Sequence, residues 1–104
     1  MTLSTHVLDA AAGRPAMGVP VRLEQGSAVL ADAVTDADGR VTGLDLPGAG
    51  TYRLTFDTGT WFAATGTTGF YPEVTVAFTV TDPAQHHHVP LLLSPFAYST
   101  YRGS

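Results

Sequence analysis

The last nineteen residues hold the densest group of reactive side chains in this sequence. Histidines occupy positions 86–88, an apolar run follows at 89–93, and the chain closes at 101–104 with Tyr-Arg-Gly-Ser. Histidine titrates near neutral pH and can take a proton from water, whereas arginine offers a planar fork of donors to a carbonyl or an anion. The pattern indicates a binding or catalytic site that a buried strand holds in place.

The three adjacent histidines are predicted to face two ways. Side chains alternate between the two faces of a strand, so His86 and His88 should point to one side and His87 and Val89 to the other. His6 lies in another alternating segment, near the N-terminus. A single strand histidine is more often structural than catalytic, but a pair on one face favours a functional role.

Arg40 follows a turn at residues 36–39 that ends in Asp-Gly. One interpretation is a surface charge that pairs weakly with Asp36 or Asp38, worth at most about 1 kcal/mol. The other is a donor fork that holds a carbonyl or an anionic heterocycle. The residues alone favour the first interpretation.

The C-terminal tail carries unusual chemistry for a chain end. Termini are usually frayed and featureless, yet here Tyr101, Arg102 and Ser104 stand beside the terminal carboxylate. The composition is typical of a tail that folds into a site. The plainer alternative is that Tyr101 packs and Arg102 pairs with the terminus.

Other constellations fit the sequence less well. A serine–histidine–acid triad would need a nucleophile elbow, and no Gly-x-Ser-x-Gly pattern occurs. A zinc site could use His6, His86 and His88, but no His-Glu-x-x-His pattern or adjoining carboxylate supports it. The turn at 36–39 resembles part of a calcium loop without its later ligands.

The composition limits the class of protein. The chain has 104 residues, the size of one domain spanning 1–104, with a net charge of −4 and only 13% charged residues. No basic stripe is present to meet phosphates, which argues against nucleic acid and anionic membranes as partners. Cysteine is absent, and no apolar run approaches the ~20 residues of a membrane span. A cytoplasmic location is expected.

Short alternating segments separated by turn residues predict an all-β fold. Strands are expected at residues 3–9, 19–24, 28–35, 40–44, 51–57, 73–81, 86–93 and 96–101, with Tyr52, Leu54 and Phe56 facing inward. Residues 11–15 are expected to form a loop, and one short helix is expected within 58–66, capped by Thr58 or Thr60. The natural architecture is an antiparallel two-sheet β-sandwich. Its edges and apolar tail need cover, which favours symmetric association.

Four segments together resemble the 5-hydroxyisourate hydrolase family, the transthyretin-related enzymes of purine breakdown. They are Leu-Ser-Thr-His-Val-Leu-Asp at 3–9, Asp-Gly-Arg at 38–40, His-His-His-Val-Pro-Leu-Leu-Leu-Ser-Pro at 86–95, and Tyr-Arg-Gly-Ser at 101–104. The resemblance covers essentially the whole chain, with the segments in family order. The terminal tetrapeptide is specific, because transthyretin itself lacks it.

The resemblance implies a transthyretin-like β-sandwich that assembles as a homotetramer, a dimer of dimers with its sites at the dimer–dimer interface. It implies hydrolysis of 5-hydroxyisourate to 2-oxo-4-hydroxy-4-carboxy-5-ureidoimidazoline, with no metal and no organic cofactor. The expected catalytic residues are His6, Arg40, His88 and Ser104, and the expected substrate-binding residues are His6, Arg40, Tyr101 and Arg102.

The family commonly has tyrosine where this chain has His87. Because alternation points His87 away from His88, we expect the packing to change and the chemistry to persist. His6 and His88 are expected to activate water and Arg40 to grip the substrate oxygen; which histidine is the base stays open. Two alternatives remain: a non-enzymatic carrier of transthyretin type and a zinc hydrolase.

Overall fold

Two β-sheets packed face to face form the fold, with one short helix beside them. A computed structural model describes residues 2–104, so Met1 of the predicted domain lies outside the described residues. The strands are β1 Thr2–Asp9, β2 Arg14–Pro15, β3 Pro20–Gln25, β4 Ala28–Val34, β5 Arg40–Asp45, β6 Gly50–Phe56, β7 Val74–Val80, β8 His87–Ser94 and β9 Ala97–Thr100; the helix α1 is Thr58–Ala64.

The first sheet has the strand order β2-β1-β8-β9, with β5 also paired to β1. The β1–β8 pair is parallel, whereas the other pairs in both sheets are antiparallel. The predicted antiparallel two-sheet sandwich is confirmed, with this one parallel pair as its exception. Parallel neighbours need a long crossover connection. Here the crossover is the chain between β1 and β8, which includes all four strands of the second sheet.

The second sheet has the order β4-β3-β6-β7 and shares a core with the first. The predicted inward face of β6 is confirmed, since Tyr52, Leu54 and Phe56 are buried. Leu91 and Leu93 of β8 are buried opposite them. Each fully buried side chain of this size contributes about 1.5–3 kcal/mol, so the core holds β8 firmly in place.

Two local features differ from the expectations. Residues 11–15 were predicted as a loop, but Arg14–Pro15 forms a short strand paired with the end of β1. The helix is capped by Asp57, whose carboxylate accepts the backbone N–H of Thr60, rather than by Thr58 or Thr60. Asp57 follows the last residue of β6 directly, so one residue ends the strand and starts the helix.

Within residues 2–104, no helix combines the length and the apolar character that crossing a bilayer requires.

Candidate active site

The outer face of the first sheet gathers the polar side chains that the sequence singled out. Leu3, Thr5 and Val7 of β1 point into the core, so the alternate residues Ser4 and His6 lie on the opposite face. That outer face is where strands β1, β5 and β8 meet.

Strand register brings His6, Arg40 and His88 together. His6 of β1 is the direct partner of Arg40 on β5, and Ser4 is the direct partner of His88 on β8. Facing residues on antiparallel neighbours have Cβ atoms about 4.5–5.5 Å apart. Three residues that are distant in sequence therefore converge on one surface.

A tight turn fixes the position of Arg40. Asp36 accepts the backbone N–H groups of Asp38 and Arg40 on Oδ1, both at 2.9 Å. Gly39, at φ 74°, is buried against β1, where its carbonyl accepts the N–H of Val7 at 2.7 Å. A side chain at position 39 would be strained and would collide with the Val7 backbone.

The weak local ion pair considered for Arg40 is not formed. Among residues 2–104 the one ion pair joins Arg22 to Asp32, on the other sheet. The Asp36 carboxylate instead accepts the backbone N–H of Arg40.

Ser4 connects two of the histidines. Its Oγ lies 2.7 Å from Nδ1 of His88 and 2.9 Å from Nε2 of His86. Nδ1 of His86 in turn lies 2.7 Å from Oγ1 of Thr2. Because Ser4 engages Nδ1 of His88, Nε2 is the nitrogen left to act on a substrate or a water molecule.

The surroundings of His88 disfavour its charged form. Burial lowers the pKa of the His88 imidazole, and the positive charge of Arg40 lowers it further, with smaller contributions from His6 and His86; a hydrogen bond to the Ser4 backbone opposes them. The neutral imidazole of His88 therefore persists at pH values below the usual histidine pKa. The neutral form is the one that a general base requires.

The C-terminal tail closes over His88. The N–H of Gly103 donates to the carbonyl of His88 at 2.9 Å, and an added Cβ at Gly103 would run into the His88 imidazole. Nη2 of Arg102 donates to Oε1 of Gln85 at 3.2 Å. The tail is thus bound to the strand that carries His88, and only glycine fits against that ring.

Tyr101 and Ser104 are less engaged. Tyr101 is 59% exposed, and Ser104 is also exposed beyond the Gly103 contact. Within residues 2–104, neither side chain hydrogen-bonds to His6, Arg40 or His88. The fold places both beside the site without joining them to it.

His87 faces away from this surface, as alternation predicted. It is 6% exposed, and its Nδ1 lies 2.9 Å from the carbonyl oxygen of Gln85. As for the zinc alternative, the described part of the chain contains no group of three or more histidine, aspartate or glutamate side chains arranged to hold a metal ion.

Sequence reasoning missed the roles of Ser4, Asp36 and Gln85. Ser4 carried a usable signal, because it lies two residues before His6 and so shares its face. Nothing in the sequence paired Ser4 with His88, since that contact depends on the parallel register of β1 and β8.

A model of the HIUase/Transthyretin family matches residues 3–103. The chain belongs to this family. The mouse 5-hydroxyisourate hydrolase is 48% identical, with 98% of this chain and 94% of the mouse protein covered. The family resemblance drawn from the sequence is confirmed.

Solved structures confirm the transthyretin-like sandwich. The 5-hydroxyisourate hydrolase of Klebsiella pneumoniae superposes with a TM-score of 0.93 at 42% identity, covering 99% of this chain and 98% of the other. Sea bream transthyretin in complex with thyroxine gives a TM-score of 0.90 at 35% identity, covering 97% and 93%. Because a hydrolase and a thyroxine-binding protein share the fold, the fold alone does not distinguish the two functions. The side chains of the site are the features that can distinguish them.

Proposed function

We propose that this chain hydrolyses 5-hydroxyisourate to 2-oxo-4-hydroxy-4-carboxy-5-ureidoimidazoline in urate degradation. The relatives from mouse and Salmonella that bear the hydrolase name are 48% and 45% identical over 98% of this chain. The observation that carries the proposal is the convergence of His6, Arg40 and a His88 whose charged form is disfavoured.

The first step is activation of water. A neutral imidazole, His88 or His6, accepts a proton from water while the water oxygen bonds to a ring carbonyl carbon of the substrate. General base assistance of this kind typically contributes 10²–10⁴-fold. His88 is the better placed of the two, because Ser4 holds its Nδ1 and the lowered pKa favours its neutral form.

Arg40 stabilises the charge that then develops. The carbonyl oxygen becomes an oxyanion, and the guanidinium donates to it; losing one such donor costs roughly 3–4 kcal/mol. The carbon–nitrogen bond of the ring amide then breaks, and the imidazolium returns its proton to the departing nitrogen. The product carries a new carboxylic acid, which releases its proton to solvent as it becomes a carboxylate, and the imidazole is again neutral.

The tail completes the proposed site. Arg102 and Tyr101 bind the substrate ring, and Ser104 orients a histidine or the water. The support for this role is the contact of Gly103 with His88, which brings the tail to the base.

The direct test is an ultraviolet assay with freshly prepared 5-hydroxyisourate. The purified chain is expected to accelerate loss of the substrate absorbance well beyond the spontaneous rate, which must be subtracted. A rate equal to the spontaneous one would refute the proposal.

A carrier of transthyretin type is the second candidate, favoured by the likeness to a thyroxine-bound transthyretin. A carrier would bind a hydrophobic ligand such as thyroxine tightly and leave 5-hydroxyisourate unchanged. Calorimetric titration with thyroxine beside the ultraviolet assay separates the two. Elemental analysis, with activity measured after chelation, tests the zinc alternative in the same preparation.

We also propose a homotetramer, a dimer of dimers with the active sites at the dimer–dimer interface. The single chain leaves Phe70, Phe96 and Tyr98 exposed at 68%, 69% and 41%, and β9 lies at the end of its sheet. Apolar patches and sheet edges of this kind are usually covered by another subunit. Light scattering is expected to give four times the 10.9 kDa chain mass; a monomer would refute the assembly.

A cytoplasmic location is proposed as well, since a chain without cysteine gains nothing from an oxidising compartment. Cell fractionation tests it.

A further inference from the structure

A continuous line of hydrogen-bonding atoms leads from His88 to the protein surface. Ser4 Oγ lies 2.7 Å from Nδ1 of His88 and 2.9 Å from Nε2 of His86, and Nδ1 of His86 lies 2.7 Å from Oγ1 of Thr2. His88 is partly buried, whereas His86 and Thr2 are exposed. The proposed reaction uses only the first member of this line.

Ser4 is suited to connect two imidazoles. A hydroxyl carries one proton and two lone pairs, so it can accept from one ring while it donates to the other. Ser4 is 7% exposed, so little water competes for its Oγ. Its place opposite His88 follows from the β1–β8 register.

The groups around His88 disfavour a positive charge on its imidazole, so a route that moves the charge away would assist the reaction. Arg40 from β5, His6 from β1 and His86 before β8 all disfavour a positive charge on His88, as does burial. No carboxylate among residues 2–104 forms an ion pair with any of these groups. The charge created when His88 takes a proton from water is therefore poorly stabilised where it forms.

We propose that Ser4 is a positioning residue that orients His88 and relays a proton between His88 and His86 during hydrolysis. This rests on the proposed function. At the start, Nδ1–H of His88 donates to Ser4 Oγ, the Ser4 hydroxyl donates to Nε2 of His86, and Nδ1–H of His86 donates to Thr2.

The relay balances as two linked proton transfers. When Nε2 of His88 accepts the proton of water, Nδ1–H of His88 passes to Ser4 Oγ and the Ser4 proton passes to Nε2 of His86. The positive charge then stands on exposed His86, where water solvates it. When His88 gives its Nε2 proton to the departing nitrogen, both transfers reverse and the starting state returns.

The first experiment compares Ser4→Ala and His86→Gln with Ser94→Ala as the matched control. Gln at position 86 can still accept the Ser4 hydroxyl but cannot carry a proton. Ser94 lies on the same face of β8 and makes one hydroxyl bond, to the Ala97 carbonyl at 3.0 Å. We expect kcat to fall about tenfold or more in the first two variants, a part of the usual contribution of a general base, with KM unchanged. Ser94→Ala is expected to match the wild type.

The second experiment is rescue by free imidazole. In His86→Ala the vacated position is open to solvent, so added imidazole should restore most of kcat. In Ser4→Ala the lost group is buried and imidazole should restore nothing. A group that only supported the fold would not respond to imidazole.

Several outcomes overturn the relay. Wild-type kcat in Ser4→Ala or His86→Gln refutes it, as does a change confined to KM, or a His86→Ala variant that imidazole leaves inactive. Because His86 is exposed, its variants stay informative even if Ser4→Ala misfolds. A wild-type chain without turnover refutes the hydrolase and the relay together, whereas an active wild type with unaffected variants refutes the relay alone.

Discussion

The outer faces of the two sheets differ in what surrounds their arginine side chains. On the second sheet, Arg22 of β3 forms an ion pair with Asp32 of β4 at 2.8 Å. On the first sheet, Arg40 lies beside His6 and His88. Among residues 2–104 the ion pair is found only on the second sheet.

Polar groups on the second sheet also satisfy one another across strands. Thr55 of β6 lies 3.2 Å from the hydroxyl of Thr75 on β7 and 3.4 Å from a carboxylate oxygen of Glu24 on β3. Such a face is solvated and neutralised locally. On the first sheet Ser4 also hydrogen-bonds across strands to His86 and His88, but Arg40 lies beside the histidines without an ion pair among residues 2–104. Titratable groups that a neighbouring charge perturbs in this way are characteristic of a functional site.

Removing His88 or Arg40 from the outer face of the first sheet should have the largest effect on turnover. His88→Ala and Arg40→Ala are each expected to lower turnover about 100-fold or more, because one removes the base and the other the oxyanion donor. Steady-state assays with light scattering of each variant check this. Arg22→Ala, an arginine on the other sheet, is the control and should keep full activity; near-normal hydrolysis without His88 or Arg40 would contradict the assigned roles.

A smaller loss is expected from Gly103→Ala. The new Cβ would press on the His88 imidazole, so the ring and the tail must shift, and a shift near 1 Å can cost up to about 100-fold. Gly48→Ala is the matched control, because its Cβ meets nothing within 4 Å. Equal turnover of the two variants would show that the tail does not close on His88.

The pH dependence of turnover should reflect the burial of His88 and the positive charge of Arg40 beside it. Burial and Arg40 lower the pKa of His88, so the neutral base persists as the pH falls through the ordinary histidine range. The acid limb of kcat/KM is therefore expected below the usual histidine pKa of about 6.5.

Removing Arg40 should partly reverse this shift. In Arg40→Gln the lowering effect of the guanidinium is lost, so the pKa of His88, followed by NMR titration, should rise. Arg22→Gln should leave it unchanged. An acid limb above the ordinary value, or a His88 pKa that falls in Arg40→Gln, would contradict the electrostatic account.

The smallest effect on turnover and Tm is expected from a substitution on the outer face of the second sheet. Asp32→Asn breaks the ion pair with Arg22, but both side chains are more than half exposed, at 63% and 51%, and exposed pairs add little stability. Turnover and Tm should stay close to those of the wild type. A large loss of turnover would mean that the second face also serves the reaction.

Local patterns in the sequence predicted much of the sandwich. Alternation along residues 51–57 identified which side chains face the core, because the strand period forces neighbours to opposite faces. The same rule placed His87 away from His88. The Asp-Gly turn before Arg40 was also correct, because Gly39 adopts the positive φ that such turns favour.

Contacts between distant segments could not be predicted in this way. The helix cap at Asp57 was missed because a strand pattern runs into it. The parallel pairing of β1 with β8 was missed because short-range turns signal antiparallel neighbours, whereas a parallel pair depends on a crossover that spans most of the chain.

The sequence by itself determined which imidazoles, guanidiniums and turn residues are present. It also determined on which face of a strand each of them lies, because side chains alternate with a period of two. Only the tertiary structure decided which of them meet. Register across β5, β1 and β8 set His6 against Arg40 and Ser4 against His88, and burial with the nearby cation then lowered the pKa of His88. The reason is that register and burial are properties of packed strands, and no local pattern along the chain contains them.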